Sequence, residues 1–563
     1  MSLKLFRVTE LPQSSFFFHP TAYKAVHPLL IVALTSLWIA SVGNLPLWQA
    51  LYRLPELHNP RGLWFSLVFS IIVFASTFSV LTLTSWRWTL KPAIALTLIT
   101  TALAGYFMLS YGVVIDPTMM VNALQTHPQE VKDLVAWQLV VTVLLGALLP
   151  AIWLWRLSVR HLSLPRTVLT NLAAASCGIT LTLILVLVVF QDFSSLMRNH
   201  THLRYLINPL SSFYSVGYLA FKPVERGATP PQPIAADVKL GASYARQTRP
   251  PLLILVLGET ARSANFGING YTRPTTPTLA AENITSYRNA WSCGTSTAAS
   301  VPCMFSPMGR EAFEKRTFNQ ENLLDALQQA GLAVLWIDNQ SGCKGACDRI
   351  PSVVTSSLKV SGLCQGGECY DEIMLQDLGQ RVEALSAERR ARGIVIVMHQ
   401  MGSHGPVYFK RSPPRFKHFL PECTDKALQQ CSQAQIVNAY DNTIVYTDFF
   451  LTSVIKWLKA RSESHAAAMV YVSDHGESLG ENNLYLHGLP YAIAPDVQKR
   501  VPWINWLSPE IQARRALSTE CLKGRVDEAI SHDHYFHSVL GLLDVHTAIY
   551  RPELDIFGPC RRP

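Results

Sequence analysis

Charge is what this chain has least of. Across 563 residues only 15% are Asp, Glu, Lys or Arg, against about 25% in an ordinary soluble domain, which excludes a wholly soluble protein. Cysteine is nearly missing from the first 250 residues, where Cys177 stands alone, while the other ten lie in the second half. Blocks of Lys and Arg are absent too. The 48 basic and 39 acidic residues give a net charge of +9, yet the basic ones are dispersed and no nucleic-acid reading motif accompanies them, so no nucleic-acid partner is expected. That weak positive balance suits a surface beside anionic lipid head groups, where each nearby cation contributes about 1 kcal/mol. Lys4 and Arg7 precede the first apolar run as they would in a signal peptide, but no small-residue cleavage site follows, so that run is expected to be retained.

In place of charge, the first half carries apolar runs. A helix needs about 20 apolar residues to cross a bilayer core, and five segments qualify: Leu29 to Leu51, Leu63 to Leu83, Pro92 to Ile115, Leu134 to Trp155, and Thr167 to Phe190. Trp48, Trp64, Trp86, Trp88, Trp153 and Trp155 stand at their edges as an interfacial belt. Core helices of a large soluble domain would not arrive five in succession with that flanking pattern. The N-terminus (Lys4, Arg7, Lys24), the second loop (Arg87, Lys91) and the fourth loop (Arg156, Arg160, Arg166) carry eight basic residues, while the first and third loops hold only Arg53, Arg61 and Lys132. Short-loop Lys/Arg excess marks the cytoplasmic side. The N-terminus is therefore expected inside and everything after Phe190 outside. Ten cysteines in the exported part agree, because disulfides persist in oxidising spaces such as the bacterial periplasm. Close pairs suggest the bridges Cys293 with Cys303, Cys343 with Cys347, Cys364 with Cys369, Cys423 with Cys431 and, by elimination, Cys521 with Cys560, although connectivity does not follow from sequence alone. A zinc-thiolate site built from Cys343, Cys347, Cys364 and Cys369 is the alternative.

Residues 191 to 225 mix apolar side chains with Arg198, Arg204 and several His, as an amphipathic stretch in the interface or a simple connector would. Residues 226 to 250 are rich in Pro, Gly and Ala and read as a linker. From Pro251 onward, β-branched runs alternate with helix-like stretches, the pattern of an α/β domain with a largely parallel sheet. The expected strands are Leu252 to Leu257, Leu332 to Ile337, Ile394 to Met398 and Ala468 to Val472. Each is followed at once by polar residues: Gly258-Glu259-Thr260, Asp338-Asn339, His399 to His404, and Ser473 to Glu477. Ligands of open α/β sheets bind outside the carboxyl ends of the strands, so these groups should converge.

A lone Asp-His pair is more often a capped loop than a metal site. Four strands that each end in a carboxylate or imidazole are harder to dismiss, and a dense cluster of such groups without a cation is costly to keep charged. Glu259, Asp474 and His475 offer the mixed oxygen and nitrogen ligands that suit zinc, and His404 and His487 are placed for a second ion or a phosphate. The hydroxyl-rich segment Cys293 to Ser300 stands where a helix can begin, and a helix N-terminus favours an anionic oxygen. An ordinary Ser or Thr N-cap accounts for that segment equally well.

The runs GETARSANFGINGY (258–271), CGTSTAASVPCMF (293–305), DNQSGCKGACDRI (338–350), HQMGSHGPVY (399–408) and SDHGESLGENNLYLHG (473–488), behind five spans, closely resemble the lipid A phosphoethanolamine transferases. This family is linked to polymyxin resistance and has an alkaline-phosphatase-like catalytic domain. The resemblance spans the chain and keeps both order and spacing. It implies Thr297 as nucleophile and Glu259, Thr297, Asp474 and His475 as ligands of one firmly held zinc. His404 and His487 then flank the transferred phosphate or a second zinc, Ser341 and Lys344 contact substrate, and His399 lies nearby. Asn122, Thr126 and Glu130 match a substrate-contacting group of the family, and their i, i+4, i+8 spacing would put all three on one helical face; without the resemblance they read as the polar face of a short periplasmic helix.

The implied protein sits in a bacterial inner membrane, with five spans over 1–192, interfacial bridging helices and a linker over 193–250, and a periplasmic zinc-dependent catalytic domain over 251–563. A monomer is expected. Its donor would be phosphatidylethanolamine and its acceptor a phosphate of lipid A, reached through a phosphoethanolamine-Thr297 intermediate. Adding a cationic amine there lowers surface negative charge and weakens the binding of polycationic peptides. The rival enzyme readings are an exported phosphotransferase that moves phosphoethanolamine or phosphoglycerol onto a core sugar or periplasmic glycan, and a membrane-bound sulfatase. The latter is disfavoured because Ala298-Ala299 follows Thr297 in place of the C/S-x-P-x-R context. A non-catalytic sensor is disfavoured because no metal ligand is missing. Reporter fusions at Arg160 and Lys239 should report opposite compartments, cytoplasmic and periplasmic; the same answer from both would rule out five crossings.

Overall fold

The computed structural model describes residues 25–126, 128–221, 230–245 and 249–562. Lys4, Arg7 and Lys24, and the parts of the expected linker at 226–229 and 246–248, lie outside the described residues.

The first apolar run folds as a broken span. Helix α1 (Pro28–Trp38) continues through one wide turn at Ile39–Gly43 and then bends by 45° into α2 (Leu45–Tyr52). Pro46 explains the break, because its ring removes a backbone donor and crowds the preceding turn. Buried Asn44 repairs the exposed backbone: its Nδ2 donates to the carbonyls of Ile39 (2.9 Å) and Asn208 (2.6 Å), and its Oδ1 accepts from the Asn208 N–H (2.9 Å). Asn208 in turn donates to the Thr101 carbonyl at 2.8 Å. In hydrocarbon every freed backbone group needs such a partner.

Four unbroken helices complete the five apolar runs: α3 (Pro60–Leu83), α4 (Leu90–Tyr111), Trp137–Arg156 with an internal wide turn at Leu144–Leu148, and Leu164–Val188. The last packs along α3. Gly178 permits the approach, since a Cβ there would overlap the Ser79 hydroxyl, as small residues do at membrane helix contacts. Between the third and fourth runs lie α5 (Pro117–Gln125) and α6 (Pro128–Leu134). The expected single helical face for Asn122, Thr126 and Glu130 is therefore not formed. Thr126 is already extended (φ −64°, ψ 131°), and Pro128 opens a new helix, at whose first position its fixed φ and missing N–H cost nothing. The stretch after the fifth run is helical, with Phe190–Asn199 and Leu210–Phe221 either side of a short turn at Thr201–Leu206.

The soluble domain is built on an eight-stranded sheet: β1 (Pro251–Gly258), β2 (Ile284–Trp291), β3 (Ala333–Asp338), β4 (Ser352–Val354), β5 (Ile394–His399), β6 (Ala466–Ser473), β7 (Arg500–Leu507) and β8 (Ile530–Ser531), in the order β8-β2-β7-β6-β1-β5-β3-β4. Only β7 runs against its neighbours. All eight residues of β1 are buried, as a central parallel strand requires. Leu253, Leu255 and Leu257 enter one core with Trp336 and Trp503, while Leu252, Ile254 and Val256 enter the other with Phe450 and Ile455. Sequence reasoning found four adjacent strands, β6, β1, β5 and β3, and missed the short β4 and β8 as well as β2 and β7, whose apolar residues are interrupted by Arg288 and Asn505. The five cysteine pairs are bridged as expected and Cys177 is free. Cys343, Cys347, Cys364 and Cys369 thus form two disulfides rather than a thiolate site.

The two parts meet through α4 to α6. Tyr106, Tyr111 and Met119 pack with Tyr485 and Leu486. Beside them the buried Asp133 carboxylate takes Lys410 at 2.6 Å and Arg411 at 3.3 Å, and Arg411 also bonds Glu368 at 2.8 Å and the His404 carbonyl at 2.9 Å. Asp133→Ala leaves the buried guanidinium short of one carboxylate, a loss of about 3 kcal/mol. Its thermal midpoint should fall and limited proteolysis between the two parts should quicken; wild-type behaviour in both would show that this pair does not hold them together.

Candidate active site

Four neighbouring parallel strands, β6, β1, β5 and β3, end on one rim. Glu259 follows β1 directly, Asp474 and His475 follow β6, and His399 and Asp338 are the last residues of β5 and β3. Facing them, Thr297 is the first residue of a helix at Thr297–Met304. Ser296 stands at its N-cap, but its buried hydroxyl makes no capping bond. The ordinary N-cap reading of this segment therefore does not hold, and the first turn is left facing the rim.

The Thr297 hydroxyl donates to the Glu259 carboxylate, at 3.1 and 3.2 Å from its two oxygens, and lies 3.4 Å from His475 Nε2. His475 Nε2 lies 3.5 Å from Glu259 and 3.3 Å from Asp474 Oδ2. His475 Nδ1 is 2.9 Å from the Gly476 carbonyl, which can only accept, so Nδ1 carries a proton and Nε2 turns to the cluster. Asp474 Oδ1 accepts from the N–H groups of Thr260 (3.1 Å) and His475 (2.7 Å), while Oδ2 is buried without a hydrogen-bond donor. Ligand atoms of Glu259, Asp474 and His475 all lie within 4.8 Å of one another. The donor set and the orphaned Asp474 oxygen fit a zinc ion.

Electrostatics say the same. Burial, and then the neighbouring Glu259 charge, push Asp474 up to about 6. Burial would raise Glu259 as well, but hydrogen bonds from His399 and His475 hold it well below the usual carboxylate range. Burial disfavours a charge on His475, yet Asp474 and Glu259 drive its pKa up to about 9. Two buried carboxylates in contact demand a cation, supplied by a proton on the imidazole or by a metal.

His399 extends the site on one side. Its Nδ1 lies 3.2 Å from Asp338 and its Nε2 3.7 Å from Glu259, and against the effect of burial Asp338 raises its pKa to about 9. On the other side, the His487 ring is 4.3 Å from that of His475 and 5.5 Å from that of His404, and its Nδ1 is 3.3 Å from the buried Glu477 carboxylate. Glu130 of α6 reaches in from the membrane part, 3.4 Å from His404. Ser341 and Lys344 lie further out: Lys344 Nζ donates to the Ser341 hydroxyl at 3.0 Å, and Ser341 lines a small cavity with Glu130 and His404. That cavity adjoins one of about 510 Å³ edged by Glu368, Asp371, Arg411 and Lys417.

Asn122 and Thr126 are not brought into the cluster. Asn122 sits against the turn after His487, where a Cβ on Gly488 (φ 92°) would lie 3.8 Å from its Nδ2, and the Thr126 hydroxyl turns back to the Asn122 carbonyl at 2.8 Å. Two residues of the site escaped sequence reasoning. His532 is buried, accepts the Cys293 N–H at Nδ1 (3.1 Å) and donates from Nε2 to the Ser473 carbonyl (3.0 Å), joining the Thr297 loop to the end of β6. Asp371 accepts the N–H groups of Met401 (2.8 Å) and Gly402 (3.1 Å) and so shapes the loop between His399 and His404. Both arrive from distant segments that carry no motif, so only a structure places them.

A family model for sulfatases matches residues 251–545. With the helical bundle ahead of it, the protein is an integral membrane enzyme whose soluble domain is of the sulfatase family. A second family model, described as phosphoethanolamine transferase EptA/EptB, matches residues 73–222. Phosphoethanolamine transferase EptA of Salmonella typhimurium is 39% identical over 539 residues, covering 94% of this chain and 96% of its own. Phosphatidylethanolamine transferase Mcr-1 of Escherichia coli is 35% identical, over 93% and 96%. The structure of the integral membrane lipooligosaccharide phosphoethanolamine transferase A (EptA) from Neisseria meningitidis superposes with a TM-score of 0.89 at 34% identity, over 95% of this chain and 99% of that one. The chain belongs to the EptA family of phosphoethanolamine transferases.

His532 generates a pH test. Burial lowers its pKa to about 3, against about 6.5 in an unfolded chain. Between these values only the unfolded chain takes up the proton, so stability is lost as pH falls from about 6.5 towards 3. His532→Gln keeps a donor and an acceptor but does not titrate. Between pH 6.5 and 5 it should lose about 2 kcal/mol less stability than the wild type, read as a shallower fall of the thermal midpoint; parallel slopes would refute the assignment.

Proposed function

We propose that this enzyme moves phosphoethanolamine from phosphatidylethanolamine to a phosphate of lipid A through a covalent intermediate on Thr297. The reading includes zinc dependence, an inner-membrane location with the soluble domain in the periplasm, and a monomeric state. The observation that carries it is the Thr297 hydroxyl, held between the Glu259 carboxylate and the His475 imidazole at the start of a helix. Family membership supports the group transferred, and the lipooligosaccharide in the name of the Neisseria relative supports a lipid acceptor.

Glu259, Thr297, Asp474 and His475 would hold the zinc, which would supply Lewis-acid chemistry by favouring the Thr297 alkoxide and neutralising charge on the phosphate. His404 and His487 offer nitrogens for the phosphate or for a second ion. In the first half-reaction Thr297 Oγ1 gives up its proton to the Glu259 carboxylate that accepts its hydrogen bond, and attacks phosphorus. The bond to the glycerol oxygen breaks, and diacylglycerol leaves with a proton. In the second, a protonated oxygen of a lipid A phosphate attacks the same phosphorus, the bond to Oγ1 breaks, and the acceptor's proton passes to Oγ1 and restores the Thr297 hydroxyl. The helix N-terminus favours the negative phosphate in both steps. Ser341 and Glu130 edge the cleft where the ethanolamine and the acceptor would lie, with Lys344 held on the Ser341 hydroxyl, and Asn122 and Thr126 would meet substrate only on its membrane side, outside the cluster.

Incubation with phosphatidylethanolamine and no acceptor should add one phosphoethanolamine to the peptide containing Thr297, read by mass spectrometry. Thr297→Ala should keep the fold and lose transfer. Release of diacylglycerol with that peptide unmodified would rule out the covalent route. Asp474→Ala should purify with little zinc and activity reduced at least 100-fold, about 2.7 kcal/mol of transition-state stabilisation; wild-type zinc content and turnover would exclude the ligand set.

A further inference from the structure

The end of the bundle away from the catalytic domain holds a second polar site that the transfer reaction does not use. Helix α4 starts there, and its other end, at Tyr111, packs against the catalytic domain; its 22 residues span about 33 Å, the thickness of a bilayer core. At this far end a cavity of about 390 Å³ opens between the helix ends, lined by Ser85, Arg87, Lys91, Arg160 and His161 on its polar side and by Trp86 among its apolar residues. Its rim is tied by backbone bonds, the Val26 N–H to the Ser158 carbonyl at 2.8 Å and the Arg160 N–H to the Val26 carbonyl at 2.9 Å.

Three features set the chemistry of the occupant. No carboxylate lies among the described lining residues, and Arg87, Lys91, Arg160 and His161 have no ion-pair partner among the described residues, so the cavity carries uncompensated positive charge. Lys91 is already fixed, donating to the carbonyls of Trp155 and Leu157 at 2.9 Å each, which leaves one N–H unused. The Ser85 hydroxyl is the telling one. Ser85 is 3% exposed, its carbonyl accepts from Asn171 Nδ2 at 2.8 Å, and yet its Oγ has no partner at all. A buried donor without a partner is costly, and an oxygen-rich anion beside three cations would satisfy it. The depth of the site, at the ends of apolar helices and among tryptophans, places acyl chains within reach.

We propose that this cavity binds the phosphate of an anionic phospholipid, of the phosphatidylglycerol type, on the membrane face opposite the catalytic domain. In the proposed orientation that is the cytoplasmic leaflet, where basic pockets between membrane helices hold anionic head groups. The site is separate from that of the donor lipid, which must reach Thr297 from the other face.

Native mass spectrometry of the delipidated full chain, titrated in turn with phosphatidylglycerol, phosphatidylethanolamine and inorganic phosphate, tests this. The wild type should retain one phosphatidylglycerol. Arg87→Gln/Arg160→Gln changes two exposed side chains and should bind it about 30-fold more weakly, while its binding of phosphatidylethanolamine and its transferase activity stay at the wild-type level. Arg160→Glu should remove phosphatidylglycerol retention altogether. Equal phosphatidylglycerol affinity in wild type and variants overturns the proposal. So does saturation of the site by inorganic phosphate at the same concentration as the lipid, which would make it a site for the free anion.

Discussion

Two buried carboxylates with too few donors organise this protein. Glu259 and Asp474 are fully enclosed and stand together at the ends of adjacent strands, and the Asp474 Oδ2 has no hydrogen-bond donor. Such an arrangement survives only around a cation. Much of the soluble domain follows from that need. The parallel sheet delivers both carboxylates to one rim, and the helix of Thr297 brings a hydroxyl to them. His399, itself held by Asp338, braces Glu259 from behind. A polar cluster of this kind weakens a core, and the two apolar layers above and below β1 hold it in place.

The second constraint is that both proposed substrates are lipids, so the cluster has to stay beside a membrane. The short helices α5 and α6 meet it, and the break between them matters. A single straight helix would carry Glu130 along its own axis, whereas the new start at Pro128 sets Glu130 by His404 and Asp133 by Lys410 and Arg411. The membrane part thereby contributes a side chain to the cleft and an ionic clasp next to it. Asn44 and Asn208 play a comparable part inside the bundle, where they join the broken first span to the stretch that leads out to the catalytic domain.

Much of the site is legible because chemistry sits where strands end. Runs such as LLILVLGET and AAAMVYVSDH show a buried strand and the polar residues at its end together, and period and polarity suffice to place Glu259, Asp474 and His475 on one rim. Thr297 is visible as a hydroxyl near a helix start, but its role needs the opposing carboxylate. His532 and Asp371 are invisible, because each acts by bonding the backbone of segments remote in sequence, and nothing local marks a side chain that serves a distant loop.

Sequence by itself determined the apolar runs and the α/β order, and it suggested four cysteine pairs and the polar residues at the strand ends, because each depends on local composition or on short spacing. Tertiary structure decided that the first run is bent at Asn44, that β7 lies antiparallel between β2 and β6, and that Asn122, Thr126 and Glu130 do not share a face. It also decided which groups oppose one another across the rim. Pro46 and Pro128 mark two of these breaks locally, but the arrangements around them are held by contacts between residues 100 or more positions apart, such as Asn44 with Asn208 and Asp133 with Arg411. Their energies arise only when the chain has closed, so no local pattern records them.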